Sequence, residues 1–165
     1  MTLTTHAIAG AALASLTPAQ PVLGFCLGFA SHYALDAIPH WDYPLYSSID
    51  PDRGGALVLD RALFIDLFDI GCDLLLGIAL SFFFFGGSGA LLAIIAGIAG
   101  GIAPDFLQFI YTRLPTRPIK AMQDLHNRTH SPHRLRQEGR SVLGIASQVL
   151  IIAMFVVAAN ILAAH

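Results

Sequence analysis

The sequence predicts an all-α fold, a polytopic membrane helix bundle with about five transmembrane helices. Hydrophobic residues make up 55% of the 165 residues and charged residues only 12%, and the mean hydropathy is +0.66. The charged share is about half that of an average soluble protein. A net charge of −2 gives no reason to expect nucleic acid as a partner. The composition therefore predicts a single integral membrane domain over residues 1–165, with membrane lipid around it.

Five apolar stretches separated by turn signals are the candidate membrane helices. Residues 4–16 form the shortest stretch, which ends at the turn signal TPAQP. The other four are long enough for a bilayer, which takes roughly 20 helical residues, and they cover about 21–38, 56–85, 89–111 and 141–164. Gly24 and Gly28, and also Gly97 and Gly101, have the GxxxG spacing that permits close contact between helices.

The basic residues predict the orientation. Seven of the nine lie between Tyr111 and Ser141, so the positive-inside rule predicts that the basic loop 112–140 is cytoplasmic. Counting back through five spans places the N-terminus inside and the C-terminus outside. The prediction is a multi-pass protein of the inner (cytoplasmic) membrane. Nearly every acidic residue and histidine then lies at the cytoplasmic face.

The stretch SHYALDAIPHWDY places His32, Asp36 and His40 at four-residue intervals. On a helix this spacing puts the three side chains within an arc of about 80°. An unpaired carboxylate in an apolar segment is costly, whereas a metal ion would neutralise it. A polar helix end facing water is the alternative, which explains His40 and Asp42 but leaves His32 and Asp36 unexplained. The pattern therefore predicts metal ligation.

Three aspartates, Asp66, Asp69 and Asp73, fall on one face of the third predicted helix. Carboxylates on one face repel each other unless cations or protons lie between them. A shared metal ion explains the three residues, and Asp66 is a candidate base. Structural hydrogen bonds and a proton relay are the alternatives.

The basic loop contains the stretch HNRTHSPHR, with His126 and His130 as candidate metal ligands. Arg128 and Arg134 beside them suit a phosphate group, because guanidinium groups bind non-bridging phosphate oxygens. Attraction of the loop to anionic lipid is the alternative.

His6 and Asp105 are weaker candidates. Taken alone, they are typical of a surface histidine and of a helix cap. Each becomes a candidate ligand only if the fold brings it to the other groups.

The stretch GFASHYALDAIPHWDY resembles the HxxxD-containing helix of zinc-dependent phospholipase C and of related single-strand-specific zinc nucleases. More broadly, the chain resembles the bacterial inner-membrane metal-dependent hydrolases of the YdjM type. Those proteins have an early His, a Pro-Asp element, a His-Arg-Gly-x-Thr-His-Ser element and a Ser-His-x-x-x-Asp element. The matching parts here are His6, Pro104-Asp105, the stretch HNRTHS, and Ser31-His32 with Asp36. The stretch HNRTHS is one residue shorter and lacks the glycine, and Ser31-His32 precedes it.

The residues and the resemblance together predict a membrane-embedded metal-dependent hydrolase of the phosphoester class. Its substrate would be a phosphoester such as a phospholipid headgroup, reached at the cytoplasmic face. One or two divalent ions, with zinc expected, would activate water. The predicted ligands are His6, His32, Asp36, His40, Asp69, Asp73, Asp105, His126 and His130.

The remaining predicted roles are catalytic. Asp36 or Asp66 would bridge metal ions or act as base, and Arg128 and Arg134 would stabilise charge on the phosphoryl oxygens. The alternative function is a cation or proton transporter that uses the aspartates of the third helix. The sequence leaves the oligomeric state open.

Overall fold

The apolar stretches of the sequence fold as helices that end close to the turn signals between them. The computed structural model describes residues 1–49, 57–132 and 140–163. Within these ranges it contains six α-helices and no strand, which confirms the all-α fold class. The helices are α1 (Leu3–Ser15), α2 (Pro21–Asp36), α3 (Arg61–Phe85), α4 (Leu91–Arg113), α5 (Arg117–Thr129) and α6 (Ser141–Ala163).

Local chemistry explains several helix boundaries. Pro21 occupies the first position of α2, where its missing N–H costs no hydrogen bond. The Asp60 carboxylate accepts a hydrogen bond from the Leu63 amide (2.8 Å) and so caps the start of α3. Between α3 and α4, Gly89 adopts a φ of 70°, a left-handed conformation that favours glycine.

Helix α1 is the centre of the bundle. It contacts α2, α3, α4 and α6, and every residue of α1 except Leu13 is buried. Most of its side chains are small, so four helices can surround it closely. His6 is therefore fully buried, and the default expectation of a surface histidine is wrong because α1 lies inside the bundle.

Glycines allow α1, α2 and α4 to approach each other at backbone distance. A Cβ atom added at Gly28 of α2 would overlap the carbonyl oxygen of Gly97 on α4. A Cβ at Gly101, one turn further along α4, would overlap the carbonyl oxygen of His6 on α1. The predicted GxxxG positions thus lie at real helix crossings, and these crossings bring polar side chains of three helices to one level.

Two of the described helices, α4 and α6, are long and apolar enough to cross a membrane. Helices α1 and α2 have 13 and 16 residues and are shorter than a full span. Helix α3 has 25 residues, but Arg61 and three aspartates interrupt its apolar character. The predicted bundle of five spans is therefore not confirmed, because the central helices are short and α3 is charged in its first half.

Replacing Gly97 by alanine is expected to destabilise the fold. The new Cβ would collide with the backbone of Gly10, and forced overpacking typically costs about 1–3 kcal/mol. Thermal unfolding in detergent should show a lower midpoint for Gly97→Ala. Gly71→Ala is the matched control, since a Cβ at Gly71 meets nothing within 4 Å. Equal midpoints for the two variants would contradict the proposed role of the close crossing.

Candidate metal centre

Four helices and one loop bring histidines and aspartates together at one end of the bundle. We name this group the His/Asp cluster. It consists of His6 from α1, His32 and Asp36 from α2, His40 and Asp42 from the following loop, Asp105 from α4, and His126 and His130 from α5 and its C-terminal boundary. Residues separated by more than 100 positions in the sequence thus become neighbours.

The carboxylate of Asp36 lies at the centre of the cluster and is only 2% exposed. Its Oδ2 is 3.2 Å from Nε2 of His32, 3.7 Å from Nε2 of His126 and 3.9 Å from Nε2 of His130. Its Oδ1 is 3.8 Å from Nε2 of His40. Four imidazole Nε2 atoms therefore lie around one buried carboxylate.

The protonation of these rings follows from their outer contacts. In three of them Nδ1 is within hydrogen-bonding distance of a backbone carbonyl oxygen: His32 with Gly101 (2.8 Å), His40 with Ile38 (2.7 Å) and His130 with Ser131 (3.0 Å). A carbonyl only accepts hydrogen bonds, so Nδ1 carries the proton in each ring. In its neutral form each ring then presents the lone pair of Nε2 to the cluster. This is the tautomer that a metal-ligating histidine needs.

With these rings neutral, acceptors face acceptors around Asp36. Nε2 of His32, Nε2 of His40 and Oδ2 of Asp36 are buried and make no hydrogen bond within the described part of the chain. A cation between them would turn this repulsion into attraction. Two ligands about 2.1 Å from one tetrahedral ion are separated by about 3.4 Å, close to the observed 3.2 and 3.7 Å. The residues present therefore fit a divalent metal ion.

The ligating atoms form two groups. One contains His32, Asp36, Asp105 and His126, and the other contains Asp36, His40 and His130. Within each group the atoms lie within 4.8 Å of one another. Asp36 belongs to both groups, and a carboxylate with two oxygens can bridge two ions.

The two histidines at the end of α5 are held in the neutral form by burial. Burial lowers the pKa of His126 to about 4, and it also lowers the pKa of His130. Both rings are therefore neutral at pH 7, and neutral imidazole is the form that binds metal.

His6 makes a different contact from the other histidines. Its Nε2 lies 3.1 Å from Oδ1 of Asp36, and because a carboxylate accepts, Nε2 is the donor. The ring also stacks on His32 with centroids 3.9 Å apart. His6, predicted as a ligand, thus contacts a ligand and belongs to neither of the two groups. Through these two contacts, His6 can hold the side chains of Asp36 and His32 in their orientations.

The sequence prediction missed two residues here: Asp42, which is a member of the cluster, and Gln148, which lies near it. Asp42 Oδ1 is 3.1 Å from Nε2 of His40 and 2.9 Å from the amine of Met1, which also contacts Asp36. The two-residue spacing of His40 and Asp42 is the signal that could have found it. Gln148, buried on α6, accepts from the Thr2 amide (3.0 Å) and donates to the Trp41 carbonyl (2.8 Å). A lone glutamine in an apolar helix gives no comparable signal.

The aspartates of α3 have other tasks in the structure. Asp66 is buried and accepts hydrogen bonds from the backbone amides of Tyr46 (2.9 Å) and Ser47 (2.8 Å). Asp73 accepts from the Thr4 amide (3.2 Å), and Asp69 is exposed. None of the three belongs to the two groups of ligating atoms formed by the described residues. Asp66 and Asp73 therefore hold backbone segments in place, and neither is part of the His/Asp cluster.

The predicted phosphate-binding arginines are not brought to the cluster. Arg128 lies on the exposed face of α5, because the buried face of that helix carries Gln123 and His126. Arg134 falls outside the described residues.

A cavity of about 930 Å³ adjoins the cluster. At its polar end it is lined by Asp42, Tyr43, Asp105, His126 and His130. Burial, together with the charges of Asp73 and Asp105, raises the pKa of Tyr43. Its hydroxyl therefore stays protonated at neutral pH and can donate a hydrogen bond at this end of the cavity.

No protein-family model, curated protein or solved structure matches this chain. Fold and site together define an all-α protein with two helices able to cross a membrane and a buried His/Asp cluster able to hold a metal ion.

Asp36→Asn is expected to reduce metal binding sharply, because it removes the charge shared by both groups of ligands while preserving the shape of the side chain. Metal content after dialysis against zinc, measured by elemental analysis of the purified protein, tests this. Asp124→Asn is the control, since Asp124 pairs with Lys120 on the exposed side of α5 (2.8 Å). Equal metal content in both variants would remove Asp36 from the site.

Asp66→Ala should separate stability from metal binding. It leaves two backbone amides without their acceptor, which costs about 1–3 kcal/mol when such groups are buried. We expect a lower unfolding midpoint for the metal-free protein and an unchanged zinc stoichiometry in the folded protein. A normal midpoint combined with a loss of zinc would instead make Asp66 a ligand.

Proposed function

We propose that the protein is a membrane-embedded, metal-dependent hydrolase that cleaves phosphoesters at the cytoplasmic face. One observation carries this proposal. The Asp36 carboxylate is surrounded by imidazole Nε2 atoms whose lone pairs are directed inward by Nδ1–H hydrogen bonds to backbone carbonyls. Nε2 of His32, Nε2 of His40 and Oδ2 of Asp36 are buried without a hydrogen bond within the described residues, and a divalent cation would satisfy all three atoms.

The donor set favours zinc, because imidazole and carboxylate are common ligands of this ion. His32, Asp105 and His126 would hold one ion and His40 and His130 a second, with Asp36 common to both. When bound, such an ion lowers the pKa of a coordinated water to about 7 and polarises a phosphoryl oxygen.

The protein's own side chains supply the remaining chemistry. In phosphoester hydrolysis the oxygen of water bonds to phosphorus while the P–O bond to the leaving alcohol breaks. Asp42 lines the cavity beside the cluster, and we assign it the acceptance of the proton from water and the return of that proton to the leaving oxygen, which departs as the alcohol. Tyr43 lines the same end, and its protonated hydroxyl would donate to a phosphoryl oxygen as negative charge develops there.

The proposed membrane placement is a bundle of five spans, α1 to α4 and α6, with the cluster on the cytoplasmic side. The outer faces of several helices support it, because they expose large apolar side chains. The exposed fraction is 70% for Phe68, 80% for Phe83, 66% for Leu92 and 73% for Val142. Apolar faces of this extent suit lipid contact. Amphipathic α5 presents Arg117, Lys120 and Arg128 on its exposed side, where they would meet anionic headgroups.

Two further observations support an enzyme over a cation transporter. Asp66 and Asp73 accept hydrogen bonds from backbone amides, so they are engaged in holding the fold and are poorly suited to relay ions. The short elements that resemble the YdjM-type hydrolases, including His6, His32 with Asp36, and Asp105, come from separate helices and meet in one cluster. Such convergence is what a family of metal-dependent hydrolases would need.

The test is hydrolysis of bis(p-nitrophenyl) phosphate by zinc-loaded protein in neutral detergent. We expect chelation to abolish the activity and zinc to restore it. Tyr43→Phe should lower kcat by about a hundredfold, the loss typical of a single donor to a developing oxyanion, with zinc content unchanged. Tyr46→Phe is the control, because Tyr46 is exposed and outside the cavity lining. No hydrolysis of this diester or of p-nitrophenyl phosphate by folded, zinc-bound protein would overturn the proposed function.

A further inference from the structure

The cavity beside the cluster has two chemically different parts. The acidic and imidazole groups described above line one part, and much of the other part is lined by aliphatic and aromatic side chains of two neighbouring helices. From α3 these are Leu67, Ile70 and Leu74, and from α4 they are Ala99, Ile102 and Phe106. A volume of about 930 Å³ is at the upper end of the range for small-molecule sites, and far larger than a phosphate group requires.

The apolar lining runs along both helices. Ala99 precedes the cluster residue Asp105 by six positions on α4, which corresponds to about 9 Å of helix. Leu67 and Leu74 of α3 are separated by about 10 Å along their helix. Helices α3 and α4 make few contacts with each other, although both pack closely on α1. A slot therefore remains between them, and it adjoins the cluster at Asp105.

The slot opens on the outer side of the bundle. Phe106 is 63% exposed and Leu67 is 49% exposed, although both line the cavity. The neighbouring outward faces of α3 and α4 are also apolar, with Phe64, Phe68 and Ile95 exposed. A ligand that enters here passes over apolar surface before its polar part reaches the cluster.

We infer that the slot between α3 and α4 binds the alkyl chain of a membrane lipid whose phosphate group lies at the His/Asp cluster. The occupant combines the two chemistries of the cavity, an extended apolar chain and an anionic headgroup. The lateral opening favours a bilayer lipid over a soluble alkyl phosphate. This inference rests on the proposed function and names its substrate class, a lipid phosphoester.

The first experiment measures binding and does not depend on turnover. Butylphosphonate and dodecylphosphonate, whose C–P bonds resist hydrolysis, are titrated into the zinc-loaded protein by calorimetry in neutral detergent. Each methylene group that the slot takes up contributes about fourfold to affinity, so filling the slot should weaken the long ligand selectively. We expect Ala99→Trp to bind dodecylphosphonate roughly tenfold or more weakly than the wild type, with butylphosphonate binding unchanged.

Two further variants make this result interpretable. Leu74→Trp fills the slot from α3 and should give the same selective loss, which guards against a folding defect in either variant alone. Ile95→Trp adds the same bulk to an exposed position of α4 outside the cavity lining, and it should bind both phosphonates as the wild type does. Wild-type dodecylphosphonate affinity in both slot variants would overturn the inference.

The second experiment distinguishes the source of the ligand and separates the two proposals. Phosphatidylglycerol in nanodiscs and soluble butyl p-nitrophenyl phosphate are offered to the wild type and to Ala99→Trp. Loss of lipid hydrolysis alone in the variant supports a bilayer lipid as the occupant. Hydrolysis of both substrates by the variant at wild-type rates would overturn the slot assignment and leave the hydrolase proposal intact. Selective phosphonate binding without hydrolysis of any ester would overturn the hydrolase and retain the slot.

Discussion

The burial of one carboxylate, that of Asp36, is the constraint on which the rest of the structure depends. A carboxylate that is 2% exposed in an apolar bundle loses its hydration, and that loss has to be offset by specific partners. The structure provides two of them from the start of the chain and from α1, the buried amine of Met1 and the Nε2 atom of His6. The Asp36 backbone is used as well, since its carbonyl accepts from the Ser131 amide (2.7 Å).

Close backbone approach is what makes this arrangement possible. Ordinary helix pairs are separated by about 8–10 Å, and at that separation side chains of three helices would reach one carboxylate less easily. The glycines at the crossings of α1, α2 and α4 remove the side chains that would hold the helices apart. The same crossing places the Gly101 carbonyl against Nδ1 of His32 (2.8 Å). One packing feature therefore sets both the position and the tautomer of a candidate ligand.

The same packing leaves a gap between α3 and α4, and this gap adds an apolar space to the polar site. Asp73 accepts from the Thr4 amide (3.2 Å) and Asp66 from the Ser47 amide (2.8 Å), so α3 is fixed to α1 and to the loop after α2. Helix α4 is held against α1 and α2 by its glycines. Between them lies an apolar space that meets the cluster at Asp105. Polar and apolar chemistry therefore meet where the proposed substrate would place its headgroup and its chain.

The sequence by itself determined five of the six described helices and the local motif of the site. Apolar length and turn signals located α1 to α4 and α6 to within about five residues, and the four-residue spacing of His32, Asp36 and His40 identified the centre of the cluster, because such features depend on neighbours in the chain. Helix α5 lies within the predicted basic loop 112–140 and was not predicted, because it is not an apolar stretch. Only the tertiary structure decided which distant residues join them. The shared face of Asp66, Asp69 and Asp73 is a local property, but its direction depends on how α3 packs. Asp42 and Gln148 gained their roles from contacts with other segments, and periodicity along one helix carries no information about such contacts.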